Sequence, residues 1–114
     1  MKLEGEGKLL RIFVGESDRH EGRPLYQAIV ERVRREGLAG ATVMRGIEGF
    51  GADSRIHTSR ILRLSEDLPV LIEIVDSMEK IEAFIPQIDQ VVTDGLITIE
   101  PVRVIKYRAD PPAS

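Results

Sequence analysis

Three glycines, Gly46, Gly49 and Gly51, open a stretch that also carries Arg55, Arg60 and Arg63. Glycine lets backbone amides approach a bound group closely. Guanidinium groups take oxyanions through paired hydrogen bonds. Together these residue types suit a small anion held by successive N–H groups and by arginine. Gly49-Phe50-Gly51 would form one wall of such a site, and Asp94-Gly95, in a turn, another. Lys106 and Arg108 alternate around Tyr107, so on a regular strand both project from one face. Two cations at a strand end can hold phosphate oxygens. Arg103 has the opposite parity. The competing explanation is that Lys106 and Arg108 only keep an edge strand soluble, and that residues 46–67 form a hairpin with a solvated charged tip.

Other chemistries fit less well. Arg19, His20 and Arg23 share a polar loop and would suit an enzyme acting on a phosphate ester. His20 or His57 could in principle serve as a general acid or base, but neither has an evident orienting partner, and each reads better as a surface histidine. An acylphosphatase-like site would need an asparagine beside its arginines, and the chain has none. With no cysteine and two histidines far apart, no transition-metal site is expected, unless His57 converges from several subunits. An RNA-recognition sheet would need stacking aromatics on its third strand, and VLIEIV offers none. The formal net charge of −3 also argues against a general nucleic-acid binder. Of the 16 basic residues 12 are arginine, so the cations here are mostly planar, bidentate donors.

These residues must be positioned by a chain of 114 residues, long enough for one domain with its own core. Its composition is 42% hydrophobic and 31% charged, as in a globular protein. The beginning, MKLEGEGKLLRIFVGE, is broken by charges and resembles neither a signal peptide nor a membrane span. A cytoplasmic protein with no direct membrane insertion is expected.

KLLRIFV at 8–14 predicts a first strand, with Leu10, Ile12 and Val14 on one face and Leu9, Arg11 and Phe13 on the other. A polar loop follows at 15–23. Pro24 suits the first turn of a helix. Leu25, Ala28, Ile29 and Val33 then recur at helical spacing, and Gly37 stands where a C-terminal cap belongs. Residues 38–45 predict a second strand. Connections between paired strands usually take about 2–5 residues, so residues 46–67 form a long insertion. LPVLIEIV at 68–75 predicts a central strand covered on both faces. Asp76 or Ser77 can cap the second helix, with Glu79 able to complete a capping box. Met78, Ile81, Ile85, Ile88 and Val92 mark its buried stripe, and Pro86 should kink it. Residues 96–107 predict the last strand, with Pro101 implying an edge or a bulge. Residues 109–114 are expected to be a loose tail.

The order βαβ, long loop, βαβ predicts an α+β, ferredoxin-like βαββαβ sandwich: a four-stranded antiparallel sheet with both helices on one face. The other face still carries Leu9 and Phe13. Leaving it open would expose a large apolar patch, so self-association through that face is expected.

GLAGATV before GIEGFG resembles the second strand and loop opening of the PII signalling superfamily, and Arg103-Val-Ile-Lys-Tyr-Arg108 resembles its basic last strand. More closely, RGIEGFG followed by IHTSRILRLSEDLPVLIEIVD resembles the PII-like family catalogued as domain of unknown function 190. The resemblance covers most of the chain. It implies a homotrimer with inward-facing sheets, an adenine nucleotide in each cleft between subunits, and a T-loop at 46–67 that reports occupancy to a partner protein. Carried over by position, Thr42, Gly49 and Gly51 would border the nucleotide, with Phe50 between the glycines. Asp94 and Gly95 would lie near its phosphates, and Lys106 and Arg108 would be charge partners. Arg55, His57, Arg60 and Arg63 would face the partner.

The chain departs from PII proteins at three points. Leu96 stands where they place a lysine, the glutamine and lysine after GFG are missing, and residues 46–67 hold no tyrosine for uridylylation. AMP or ADP is therefore as good a candidate as ATP.

The leading expectation is a non-enzymatic trimeric sensor of a small anionic metabolite that signals to a membrane transporter or metabolic enzyme. The alternatives are a phosphate-ester enzyme using residues 19–23 and a ligand-free trimeric scaffold.

Overall fold

The computed structural model describes residues 4–49 and 68–108. β1 (Gly5–Gly15) is the long central strand. A two-stranded hairpin, β2 (Arg19–His20) and β3 (Arg23–Pro24), leads into helix α1 (Leu25–Arg35). β4 (Thr42–Arg45) precedes the long insertion, and β5 (Pro69–Asp76) follows it. Helix α2 (Met78–Val91) and strand β6 (Leu96–Val104) complete the order.

The main sheet runs β4-β5-β1-β6, and each neighbouring pair is antiparallel. β5 thus lies between the two strands of the first βαβ unit, which makes this the split arrangement of the ferredoxin-like fold. β6 is an edge strand that pairs along its whole length, so Pro101 sits at an edge without a bulge.

The register sorts the side chains into rows. Ile72, Ile12 and Ile97 lie side by side on the inner face, with Val70 and Val14 to one side and Ile74 and Leu10 to the other. Onto this face α1 presents Leu25, Ile29 and Val33, and α2 presents Ile81, Phe84 and Ile88. These residues and Leu38 form the core. Both helices bury one stripe at spacings of three or four residues, which is why each can lie on a flat sheet.

Several details differ from expectation. Residues 15–23 contain a hairpin, because Glu21 (φ 51°) and Gly22 (φ 79°) make the left-handed two-residue turn that tight hairpins favour. Pro24 caps α1 from outside, with φ −56° and ψ 131°. Met78 is 46% exposed at the first turn of α2, and Phe84 takes a core place instead. Ser77 is the N-cap, accepting from the Lys80 N–H at 3.3 Å. Pro86 lies inside α2, where the sequence places it. Gly37 ends α1 as expected, at φ 75°.

The second strand begins at Thr42, not at residue 38. Ahead of it, side chains take the backbone groups that a ladder would use: the Ala39 N–H donates to Asp76 Oδ2 at 2.8 Å, and its carbonyl accepts from Tyr107 Oη at 2.8 Å.

Among the described residues, β5 is fully buried on one face only. Val70, Ile72 and Ile74 are buried, whereas Leu71, Glu73 and Val75 are half-buried on the outer face.

Candidate functional site

At one end of the sheet β1 finishes, β4 leaves, β5 begins and β6 starts. Pro69 pairs with Gly15, and the Gly46 N–H donates to the Pro69 carbonyl at 2.7 Å. Gly46 and Gly49 both pack on the Pro69 ring: a methyl group on Gly46 would lie 2.8 Å from Pro69 Cγ, and one on Gly49 3.1 Å from it. Across the same end, a Cβ on Gly95 would lie 2.6 Å from the Phe13 carbonyl oxygen. No real side chain tolerates that approach, so the turn at 94–95 can hug β1 only because residue 95 is glycine. The structure thus brings Gly49, Asp94 and Gly95 to one end of the sheet. Asp94 is exposed there.

Polar groups frame this glycine-rich end. The Gly15 N–H donates to Asp18 Oδ2 at 2.8 Å, and the Glu16 N–H donates to the Leu68 carbonyl at 2.9 Å. Arg45 on β4 forms an ion pair with Glu16. The β2–β3 hairpin springs from the same end. Within it Arg23 Nη1 lies 2.5 Å from Glu31 Oε2 on α1, and His20 Nε2 lies 3.9 Å from Glu21 Oε2. The Arg23 hydrogen bond, and then its charge, hold the Glu31 carboxyl below the usual carboxylate range, and Arg23 is held more firmly charged in return. Arg23 is therefore engaged within its own chain, and His20 is paired only weakly and only if protonated.

The remaining candidates lie elsewhere. Thr42 is exposed on β4 opposite Glu73, in the middle of β5. Lys106 and Arg108 follow β6, at the far end of the sheet, where Val104 pairs with Gly5. Both are exposed, and Arg108 Nη2 lies 3.6 Å from Glu4 Oε2. Phe50, Gly51, Arg55, His57, Arg60 and Arg63 fall outside the described residues. Within one chain the glycines and the two cations therefore occupy opposite ends of the sheet.

One constellation escaped sequence reasoning. On the outer face Met44, Leu71, Phe13 and Leu96 form an apolar row across all four strands. The next row is Thr42, Glu73, Arg11 and Thr98. Arg11 donates through Nε to Glu73 at 2.9 Å and through Nη1 to Glu100, diagonally across on β6, at 2.9 Å. These carboxylates, Glu73 first, hold the guanidinium more firmly charged than usual. The guanidinium is thus held between two carboxylates on the outer face, with an apolar row alongside. Alternation marked Arg11 as an outer-face residue, but its partners could be named only once the register was known.

No group of three histidine, aspartate or glutamate side chains among the described residues is placed to hold a metal ion. No helix among them is long and apolar enough to cross a membrane.

The fold and the long connection between β4 and β5 define a class: ferredoxin-like domains with a loop insertion between an edge strand and its antiparallel neighbour. Within it, the model of the DUF190 family, described as "Uncharacterized ACR, COG1993", matches residues 7–104, and the chain belongs to that family, a branch of the PII-like superfamily. A UPF0166 protein of Aquifex aeolicus is 45% identical over 98 residues, covering 86% of this chain and 92% of its own length. A UPF0166 protein of Methanocaldococcus jannaschii is 40% identical over 102 residues, covering 89% and 94%. A second UPF0166 protein of Aquifex aeolicus is 40% identical over 68 residues, covering 60% and 71%.

Proposed function

We propose that the protein is a cytoplasmic, homotrimeric regulatory protein. It binds a small anionic metabolite, an adenine nucleotide (AMP, ADP or ATP), in clefts between subunits and reports occupancy through residues 46–67. The listener is a partner protein, a membrane transporter or a metabolic enzyme. Differential affinity of the ligand for one arrangement of that stretch is what drives the signal.

The observation that carries this reading is the glycine-rich sheet end. Gly46 and Gly49 against Pro69, and Gly95 against Phe13, bring glycine backbone from two separate connections to one end of the sheet. Glycine backbone that a bound group can approach closely favours phosphate oxygens. The opposite placement of Lys106 and Arg108 supports an assembly, because a site using both sets must draw them from different chains. The outer face fits the same reading: Met44 and Leu96 of its apolar row are exposed, and Arg11 beside it already has carboxylate partners. Against the phosphate-ester enzyme stands the engagement of Arg23 by Glu31.

Calorimetric titration with AMP, ADP, ATP and cyclic AMP tests the ligand. Saturable heat with at least one of them is expected; no heat with any, at high protein concentration, removes the nucleotide. Changing both Lys106 and Arg108 to alanine should weaken ATP binding by about 10–100-fold, and adenosine binding far less. Equal losses for both ligands would contradict the role of the two cations. Sedimentation should give three times the 12.8 kDa chain mass; a monomer at micromolar concentration would refute the trimer.

A further inference from the structure

The segment after β6, residues 105–108, carries Lys106 and Arg108; residues 105–107 are outside the ladder, and Arg108 makes an isolated bridge. Besides the Arg108–Glu4 ion pair it is held by Tyr107, which is half-buried and whose hydroxyl donates to the Ala39 carbonyl at 2.8 Å, 68 positions away in sequence. Ala39 is gripped from its other side as well. Its N–H donates at 2.8 Å to Asp76 Oδ2, and Asp76 is only 4% exposed. The second oxygen of Asp76 takes the Ser77 N–H at 2.7 Å. Beside them Lys80 Nζ donates to the Gly37 carbonyl at 3.3 Å, and Leu38 is part of the core.

Three residues beyond Ala39 the chain becomes β4, and β4 runs directly to Gly46, whose N–H is held by Pro69. A short continuous path therefore joins the two ends of the sheet. It runs from the Tyr107 hydroxyl to Ala39, along β4, and into the glycine-rich end.

We propose that Tyr107 is a positioning residue. Its hydroxyl latches the cation-bearing segment to the loop leading into β4, so that a shift of Lys106 and Arg108 is passed to β4 and to the glycines beyond it. The aromatic ring acts as a rigid spacer, and only its hydroxyl makes the link. With the ring turned inward, the cations on either side of it stay exposed. The identity of the anion that would pull on them rests on the nucleotide reading above; the latch itself does not.

Hydrogen exchange on the full-length protein tests it, comparing the natural chain with Tyr107→Phe and Lys80→Met. Tyr107→Phe removes one hydroxyl and leaves the ring to pack. Its amides at 105–108 and at 38–42 should both exchange about fivefold faster or more, while those of β1 and β5 stay as they were. Lys80→Met frees the same loop from another side, so it should quicken exchange at 37–39 and leave 105–108 unchanged. ATP, used as the probe ligand, should slow exchange at 39–45 in the natural protein and much less in Tyr107→Phe.

Unchanged exchange in Tyr107→Phe overturns the latch. Faster exchange at 105–108 alone overturns the coupling, because the loop would then hold its place without the tyrosine. A natural protein that ignores ATP counts against the nucleotide reading, whereas the comparison without ligand still decides the latch.

Discussion

Replacing Gly95 with alanine should damage stability and ligand binding together, and the size of the damage follows from two features. The new methyl group would sit 2.6 Å from the Phe13 carbonyl oxygen and 3.0 Å from Val92 Cγ1. The oxygen belongs to the central strand β1 and cannot rotate aside, so the 94–95 turn must move. The backbone at Gly95, with φ 159°, is also one that alanine rarely adopts. Overpacking against a fixed group costs about 1–3 kcal/mol, and a strained backbone about as much again. A total loss of about 2–6 kcal/mol is expected, which for a domain of this size lowers Tm by about 8–24 °C. Gly22→Ala provides the control. Gly22 has φ 79° but nothing within 4 Å of the added carbon, so it bears only the conformational cost of about 1–2 kcal/mol. Urea unfolding at a single protein concentration measures both, since self-association would make stability depend on concentration. The midpoint should fall with an unchanged slope. If Gly95→Ala were no less stable than Gly22→Ala, the close approach to Phe13 would be wrong. Displacing the turn should also weaken nucleotide binding more than Gly22→Ala does.

Three further outcomes are expected. Asp76→Ala strips the acceptor from the Ala39 and Ser77 N–H groups, so unfolding experiments should show a loss of about 2–4 kcal/mol; a loss under about 0.5 kcal/mol would show that neither bond matters. Arg11→Glu sets three carboxylates side by side on the outer face, where two now flank one guanidinium. Sedimentation should show the trimer dissociating, and an unchanged trimer would mean that this face is not the contact. Glu31 has a depressed carboxyl because of Arg23, so its small contribution to stability is present above the unfolded-state value and is lost as pH falls through the folded one. Carboxyl NMR should place Glu31 below the usual carboxylate range and return it there in Arg23→Met; no movement would discard the pair.

Much of the architecture was readable before any coordinates. Alternation in KLLRIFV separates the buried Leu10, Ile12 and Val14 from the outer Leu9, Arg11 and Phe13, and the structure keeps that division. Gly37 and Pro101 mark a helix end and an edge strand for reasons local to each residue. What resisted reading depends on partners distant in sequence. The second strand starts late because Asp76 and Tyr107, 37 and 68 positions from Ala39, occupy its backbone groups. The Glu-Gly turn between β2 and β3 lacks the asparagine or aspartate that usually announces such a hairpin. In α2 the buried stripe runs Ile81, Phe84 and Ile88, with Met78 exposed at the first turn, and helical spacing alone fits either Phe84 or Ile85. For the candidate site, residue types suggested glycine backbone and cations. Only the register shows that Gly49 and Gly95 share one sheet end while Lys106 and Arg108 lie at the other.

The most direct test is a map of backbone amide chemical shifts as ADP is titrated into the natural protein. Shifts should concentrate at 46–49 and 94–96 and, from the neighbouring subunit, at 106–108, saturating together along one binding curve. Shifts confined to other surfaces, or none at saturating ADP, AMP and ATP, would contradict an anion site built from the glycine-rich end of one chain and the cations of another.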